Sequence, residues 1–297
     1  MSHRFSNVKF KDVKSWLIPL PKEPCVVYSD EDVIVAFKPS GLHTVNVGGR
    51  HQNTLANWFS HHHADVMNVQ GRSKGDGGIL HRLDGATAGL VLAARSQLAL
   101  AQLSSDPPFL KHYFALSTFD PEAETAPEVP IWPISVDSTP MHWQQRLRDL
   151  KVGSWSESGY EFDIVSQFSP FGPRGGRVKV VEAVQGQLRS PSHSEELMKL
   201  GYHSHCKLVS KLDHQTLAFK VSLRRGFRHQ VRVHLSYIGC PVLGDPLYPI
   251  PAGNPSLPPP DALLQDIGLY ATGIEFTQPT TRKRVLVSMP QFDTIAL

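Results

Sequence analysis

The chain has little of what would place it outside the ordinary soluble classes. It has three cysteines in 297 residues, Cys25, Cys206 and Cys240, widely spaced and without a Cys-x-x-Cys pair. That excludes a disulfide framework and argues against cysteine-bound zinc. No apolar run approaches the roughly 18 residues that would cross a bilayer. The first residues, Met1-Ser2-His3-Arg4-Phe5, hold no apolar leader core, so the expected compartment is the reducing cytoplasm. No glycine-rich nucleotide loop is present, and charged residues make up only 19%. Lys and Arg exceed Asp and Glu by 30 − 27 = 3, a mildly basic balance that does not by itself require a nucleic-acid partner; the clustering of charge matters more. What is present, 40% apolar residues over this length, suffices for one large domain or two ordinary ones.

Residues 1–24 read as a basic arm with Lys9, Lys11, Lys14 and Lys22, stiffened by Pro19 and Pro21. Val26–Tyr28 and Val33–Phe37 flank a polar turn and predict a hairpin, stopped by Lys38-Pro39-Ser40-Gly41. Asn53 or Thr54 caps a helix bearing Leu55, Trp58 and Phe59. His61, His62 and His63 follow, with Asp65 nearby. Three consecutive histidines cannot share a helical face, so they predict a solvated helix end rather than a metal site. Leu90–Ala94 predicts a buried strand, Ser96 caps a further helix, and Lys111–Leu116 begins another strand. Residues 120–140 read as connection. Residues 141–205 are a variable basic segment that includes an expected loop over 174–179. Thr216–Leu223 alternates with period two and predicts a half-buried strand. A helix carrying Val231, Leu235 and Ile238 ends at Gly239 and Pro241. A proline-rich loop over 249–260 and a hairpin of Leu269–Phe276 with Val285–Met289 close the chain.

Two stretches carry the candidate chemistry. His81-Arg82-Leu83-Asp84-Gly85-Ala86-Thr87-Ala88-Gly89 is a polar turn delivered to the end of a core strand, where a rigid scaffold can hold a functional carboxylate. Arg224, Arg225, Arg228 and Arg232 fall within nine residues around a helix start, where the macrodipole disfavours cations. An anionic partner suited to the guanidinium fork accounts for them.

These stretches resemble a known family. His81-Arg82-Leu83-Asp84-x-x-Thr87-x-Gly89-Leu90, then Gly226-x-x-His229-Gln230-Val231-Arg232-Val233-His234-Leu235, then Gly239-x-Pro241-Val242-Leu243-Gly244-Asp245-Pro246-Leu247-Tyr248, are similar to blocks of the RluA-type family of RNA pseudouridine synthases. Phe37-Lys38-Pro39-Ser40-Gly41-Leu42 resembles that family's first motif and Lys111-x-Tyr113 its tyrosine-bearing strand. The resemblance implies an α+β fold, a long mixed and mostly antiparallel sheet flanked by helices and loops, forming one catalytic domain over 25–297. It implies isomerisation of specific uridines in structured RNA, rRNA or tRNA, with the target base flipped out. Neither a metal nor an organic cofactor is expected, and the expected assembly is a monomer with no membrane partner.

By the same resemblance Asp84 is the catalytic carboxylate, acting at ribose C1′, at uracil C6, or by assisting elimination; the three routes stay open here. Arg232 is its ionic partner and Tyr113 stacks on the uracil. His81, Arg82, Lys38 and Arg228 are expected to bind substrate, and Thr87 and Gly89 to shape the turn. A carboxylate works as a nucleophile only when ionised and held at the reacting carbon, and a partner arginine opposes the desolvation that would neutralise it. Three departures from the family pattern stand out. Thr87-Ala88-Gly89 replaces Thr-Ser-Gly, Gly226-Phe227-Arg228 replaces Gly-Arg-Thr, and the small N-terminal RNA-binding domain of many relatives is not evident. Two rivals follow from other features: a non-catalytic RNA-binding protein or chaperone on the same fold, and a metal hydrolase using His61–His63 with Asp65. Joint retention of Asp84, Tyr113 and Arg232 speaks against the first, and activity indifferent to chelator would remove the second.

Overall fold

The computed structural model describes residues 20–46, 53–105, 109–120, 147–149, 155–172, 176–181, 201–248 and 266–293. Most of the basic arm, the 120–140 connection, the proline-rich loop and much of 141–205 lie outside these. The sequence reads as one catalytic domain after the arm, and contacts group its residues into two compact units. Ser15–Tyr113 and Pro259–Ile295 make the first; the second is built on Phe114–Pro258.

In the first unit, β1 (Cys25–Ser29) and β2 (Val33–Lys38) form the expected antiparallel hairpin. Its turn is set by Asp30, whose Oδ1 accepts from the backbone N–H of Asp32 and Val33, both at 2.9 Å. β2 pairs antiparallel with β3 (Ala88–Ala94), and every residue of both strands is buried. Strands covered on both faces lose the polar alternation, which is why these read as short continuous apolar runs. β3 also pairs in parallel with β9 (Leu269–Thr277), which pairs antiparallel with β10 (Arg284–Ser288). Gly89, at φ +135, is required at the start of β3, because a Cβ there would stand 2.2 Å from the Ala271 carbonyl oxygen of β9.

Among the described residues of the first unit, three helices precede β4. α1 (Leu55–His62) starts at Thr54, whose hydroxyl accepts from Asn57 N–H at 3.1 Å, and it buries Leu55, Ala56 and Phe59. Thr54→Ala is expected to cost about 1 kcal/mol, read as a fall of a few degrees in Tm. α2 (Ala64–Asn68) follows directly. α3 (Gln97–Leu103) is capped by Ser96 through Ala99 N–H at 3.1 Å. The histidine run closes α1: His62 stacks on Trp58 with centroids 4.9 Å apart, and Asp65 is engaged by Arg95 Nε at 2.6 Å. Among the described residues no His, Cys, Asp or Glu group is arranged to hold a metal.

β4 (Leu110–Thr118) carries the chain from the first unit into the second. There β5 (Trp155–Phe171), β6 (Arg177–Val181), β7 (Tyr202–Lys211) and β8 (Thr216–Leu223) pair antiparallel in the order β8-β7-β5-β6. α4 (Gln230–Tyr237) follows β8, and α5 (Pro290–Asp293) ends the described chain in the first unit. The architecture is α+β with a mixed, mostly antiparallel sheet, as expected. Two local expectations change. Arg177, Val178 and Lys179 belong to strand β6 rather than a loop, held by pairing to β5 and by Val178 N–H donating to the Tyr248 hydroxyl at 2.9 Å. The alternation of β8 does not give a half-wet strand, because Thr216 to Phe219 are all buried. No helix among the described residues is long and apolar enough to cross a membrane.

Candidate active site

β2 ends at Lys38, which stands opposite Gly89 at the start of β3. The turn after β2 and the turn before β3 therefore lie at the same end of the strand pair. They are clasped by side chains and backbone. Gly41 N–H donates to the Gly85 carbonyl at 2.9 Å, and the Ser40 hydroxyl donates to the Ala86 carbonyl at 3.1 Å. The Thr44 hydroxyl donates to the Leu83 carbonyl and accepts from Leu83 N–H, both at 3.0 Å. At the centre sits Lys38, with no exposed surface. Its ammonium donates to the carbonyls of Pro39 at 2.9 Å, Leu42 at 2.6 Å and Gly85 at 3.5 Å. An ammonium has three N–H donors, and here all three go to backbone oxygens. Burial pulls Lys38 down to about 7, against the opposing pull of the Asp84 and Asp266 charges.

Asp84 is half-buried on the clasped turn, which its own carbonyl closes by accepting from Thr87 N–H at 3.0 Å. Tyr113, on β4, is buried and close enough to feel its charge. Burial first, and then Asp84, push the phenol far above its ordinary value, so the hydroxyl keeps its proton at any working pH. Lys111 shares a strand face with Tyr113 by the two-residue alternation. It is buried, lies 5.0 Å over the Phe109 ring, and is brought down to about 8 by desolvation.

His81 and Arg82 flank Asp84 with different partners. His81 Nε2 accepts from Leu92 N–H of β3 at 3.1 Å, which fixes a neutral ring. Burial, then the Lys111 charge, hold it well below the ordinary histidine range. Its role in the structure is to pin the turn to β3. Arg82 reaches outward, 46% exposed, with Nη2 on both carboxylate oxygens of Asp76 at 2.8 and 2.7 Å.

In the second unit the arginine segment divides. Arg232 on α4 is 2% exposed, and Asp245 takes its fork at 2.7 Å from both Nε and Nη2. Asp245 also accepts from Leu247 N–H at 2.8 Å, and the Arg232 guanidinium lies 5.4 Å from the Tyr248 ring centroid. Bidentate pairing with saturated acceptors is the form of buried ion pair best able to offset desolvation. Arg228 precedes the helix and is exposed, with Nη2 donating to the Arg177 carbonyl at 3.3 Å. His229 adopts a left-handed conformation, φ 60, and its Nδ1 is hydrogen-bonded with the Tyr248 hydroxyl at 2.8 Å. Gln230 closes the helix start, its Oε1 accepting from Phe227 N–H at 2.9 Å.

Residues 32–237 match the RNA pseudouridylate synthase family, well over half of the chain. The chain belongs to that family. It is an isomerase of the RluA type that forms pseudouridine in RNA. It is 27% identical over 273 residues to the ribosomal large subunit pseudouridine synthase D of Pseudomonas aeruginosa, covering 89% of this chain and 67% of that one. It is 27% identical over 267 residues to RNA pseudouridine synthase 5 of Arabidopsis thaliana, covering 86% and 61%. The synthase thus spans about three fifths to two thirds of these relatives' lengths. The structure of human RNA pseudouridylate synthase domain containing 1 shares the fold, with a TM-score of 0.52 at 17% identity over 92% of this chain and 86% of that one.

Within the first unit the synthase brings Asp84, Tyr113 and Lys38 together; Arg232 and Arg228 belong to the second. Sequence reading missed several residues that support these groups. Ser40 and Thr44 clasp the Asp84 turn, Asp76 holds Arg82, and Asp245 holds Arg232. Asp245 lies in a block already recognised, Gly244 to Tyr248, and an acid following an arginine-bearing helix was a usable signal. Thr44 left no signal, since its partner lies 39 residues along the chain.

Proposed function

We propose that this synthase isomerises uridines in structured RNA, ribosomal or transfer, with Asp84 as the attacking carboxylate. The N1–C1′ bond breaks, a C5–C1′ bond forms, C5 loses its proton and N1 gains one. The observation that carries this reading is the clasp by Lys38, Ser40, Gly41 and Thr44 that holds the turn of a half-buried carboxylate near a buried tyrosine whose phenol is pushed up. Binding alone would not call for a carboxylate on a rigid turn in a protein that receives phosphates. Arg232 is the expected ionic partner of Asp84. In the second unit its Nε and Nη2 are taken by Asp245. Arg82 and Arg228, both exposed, are the expected grips on the RNA backbone, while Lys38 and His81 support the turn from inside. The protein acts as a cytoplasmic monomer, without metal or organic cofactor.

The test is pseudouridine mapping of total RNA from cells with and without the gene, followed by reaction of the purified protein with the transcript that loses a site. Loss of one or a few sites, restored in vitro, is expected; an unchanged map and an inert protein would remove the reading. Tyr113→Phe keeps the ring and deletes the hydroxyl. It is expected to lower kcat by about 10²-fold, the ordinary range for a positioned proton donor, with KM little changed, as single-turnover kinetics would show.

A further inference from the structure

Four rings in the second unit make a stack that starts in the core and ends at the surface. His234 is fully buried, its nitrogens engaged by the hydroxyls of Ser166 at 2.8 Å and Ser204 at 2.9 Å. Desolvation, then the neighbouring His203, bring it down to about 3, so the ring is neutral. Phe168 of β5 stacks on it, with centroids 5.0 Å apart and planes at 29°. Phe168 also stacks on Phe227, at 5.0 Å and 14°. Tyr202 stands edge-on to Phe227 at 4.9 Å. Unlike the core rings of Phe162 and Phe219, those of Phe168, Tyr202 and Phe227 are partly exposed.

The surroundings of the outer end are cationic. Arg224, Arg225 and Arg228 are exposed and bracket Phe227 within five residues. Arg228 ties the segment to β6 through the Arg177 carbonyl. Phe227 is itself a departure, standing within Gly226-Phe227-Arg228 where the family's pattern is Gly-Arg-Thr. An acidic protein partner would answer the arginines but not a parallel ring stack. A nucleotide answers both, with a flat π-face for the ring and phosphates for the guanidinium forks.

We propose that Phe227, backed by Phe168 and Tyr202, is a stacking platform for one unpaired base of the RNA, with Arg224, Arg225 and Arg228 on the flanking phosphates. The inference rests on RNA being the substrate. The base is not the one that reacts, since the platform offers no carboxylate. Stacking tolerates any base, so the platform selects for an unpaired nucleotide at a set place in the RNA rather than for its sequence.

The experiment uses the full chain and a single-stranded RNA oligonucleotide carrying fluorescent 2-aminopurine, whose emission is quenched on stacking. Phe227→Leu keeps the apolar bulk and removes the π-face; Phe227→Trp keeps the face. Quenching by the wild-type protein is expected. Phe227→Leu is expected to lose it and to raise Kd about tenfold, with Tm unchanged; Phe227→Trp is expected to retain quenching and affinity. Arg225→Gln is expected to reduce the salt dependence of binding by about one phosphate contact, and Phe227→Leu to leave it as it was. Wild-type behaviour of both Phe227 variants would overturn the proposal. So would equal weakening in both with a lowered Tm, which would make Phe227 a packing residue. A wild-type protein that binds no RNA at low salt would instead overturn the functional reading on which the proposal stands.

Discussion

Asp84→Asn is expected to leave RNA affinity close to wild type and to lower pseudouridine formation by roughly 10⁴-fold or more, the scale set by deleting a nucleophile. The substitution is nearly isosteric. The turn should survive it, because what closes the turn is backbone and neighbouring side chains: the Asp84 carbonyl with Thr87 N–H, Gly41 with Gly85, and Thr44 with Leu83. What disappears is the charge and the electron pair. An amide oxygen neither attacks an electrophilic carbon competently nor stabilises a cationic sugar. Two neighbours should register the loss independently. Lys38 loses one of the two negative charges that hold its value up, and Tyr113 loses one of the two causes that push its phenol up. Filter binding and single-turnover assays on the same preparation separate affinity from chemistry. Turnover within tenfold of wild type, in a sample checked for deamidation back to Asp, would remove Asp84 from the nucleophile's role.

The local structure was legible wherever it depended on neighbours in the chain. Thr54 and Ser96 cap the helices they were expected to cap, since capping is settled within three residues. The β1–β2 and β9–β10 hairpins are equally local. The continuous run Leu90–Ala94 announced the burial of β3. Less legible was anything settled by pairing across long separations. The segment around Arg177 looks like a basic loop because glycine and proline precede it, yet its backbone is recruited as β6 by β5 and Tyr248. The same limit governs the site. Asp84, Tyr113 and Arg232 could be named from their motifs, but a motif does not show a side chain's partners. Arg232 is gripped by Asp245, thirteen residues on. Lys38 reads as a substrate-binding cation that supports the pocket or a phosphate, and only the packing of the turn over it reveals three carbonyl acceptors and no exposed surface.

Lys38→Met is expected to cost about 3 kcal/mol of stability near pH 9 and to lower kcat about 10²-fold. Methionine fills a similar volume but donates nothing. The Gly85 carbonyl retains Gly41 N–H, whereas the Nζ–H bonds of the neutral amine to the Pro39 and Leu42 carbonyls are lost; each buried acceptor so abandoned costs about 1–3 kcal/mol. The kinetic loss follows from the same bonds, because a turn displaced by about 1 Å misplaces its carboxylate, and such an error alone can cost about 10²-fold. The pH dependence distinguishes this role from simple packing. Lys38 is held down to about 7 in the folded protein, against an ordinary lysine value of 10.5. Between those values the unfolded chain binds a proton that the folded protein does not. Stability therefore rises with pH across the window, and this contribution is lost as pH falls through about 7. The rise is at most about 1.4 kcal/mol per pH unit for one group. Lys111, at about 8, titrates in the same window, so the wild-type curve alone does not isolate Lys38; the difference between wild type and Lys38→Met does. Denaturant unfolding at pH 7, 8 and 9 should show that difference widening with pH. A constant difference with unchanged kcat would mean that Lys38 merely fills space beneath the turn, and that Asp84 is held by Thr44, Ser40 and Gly41 without it.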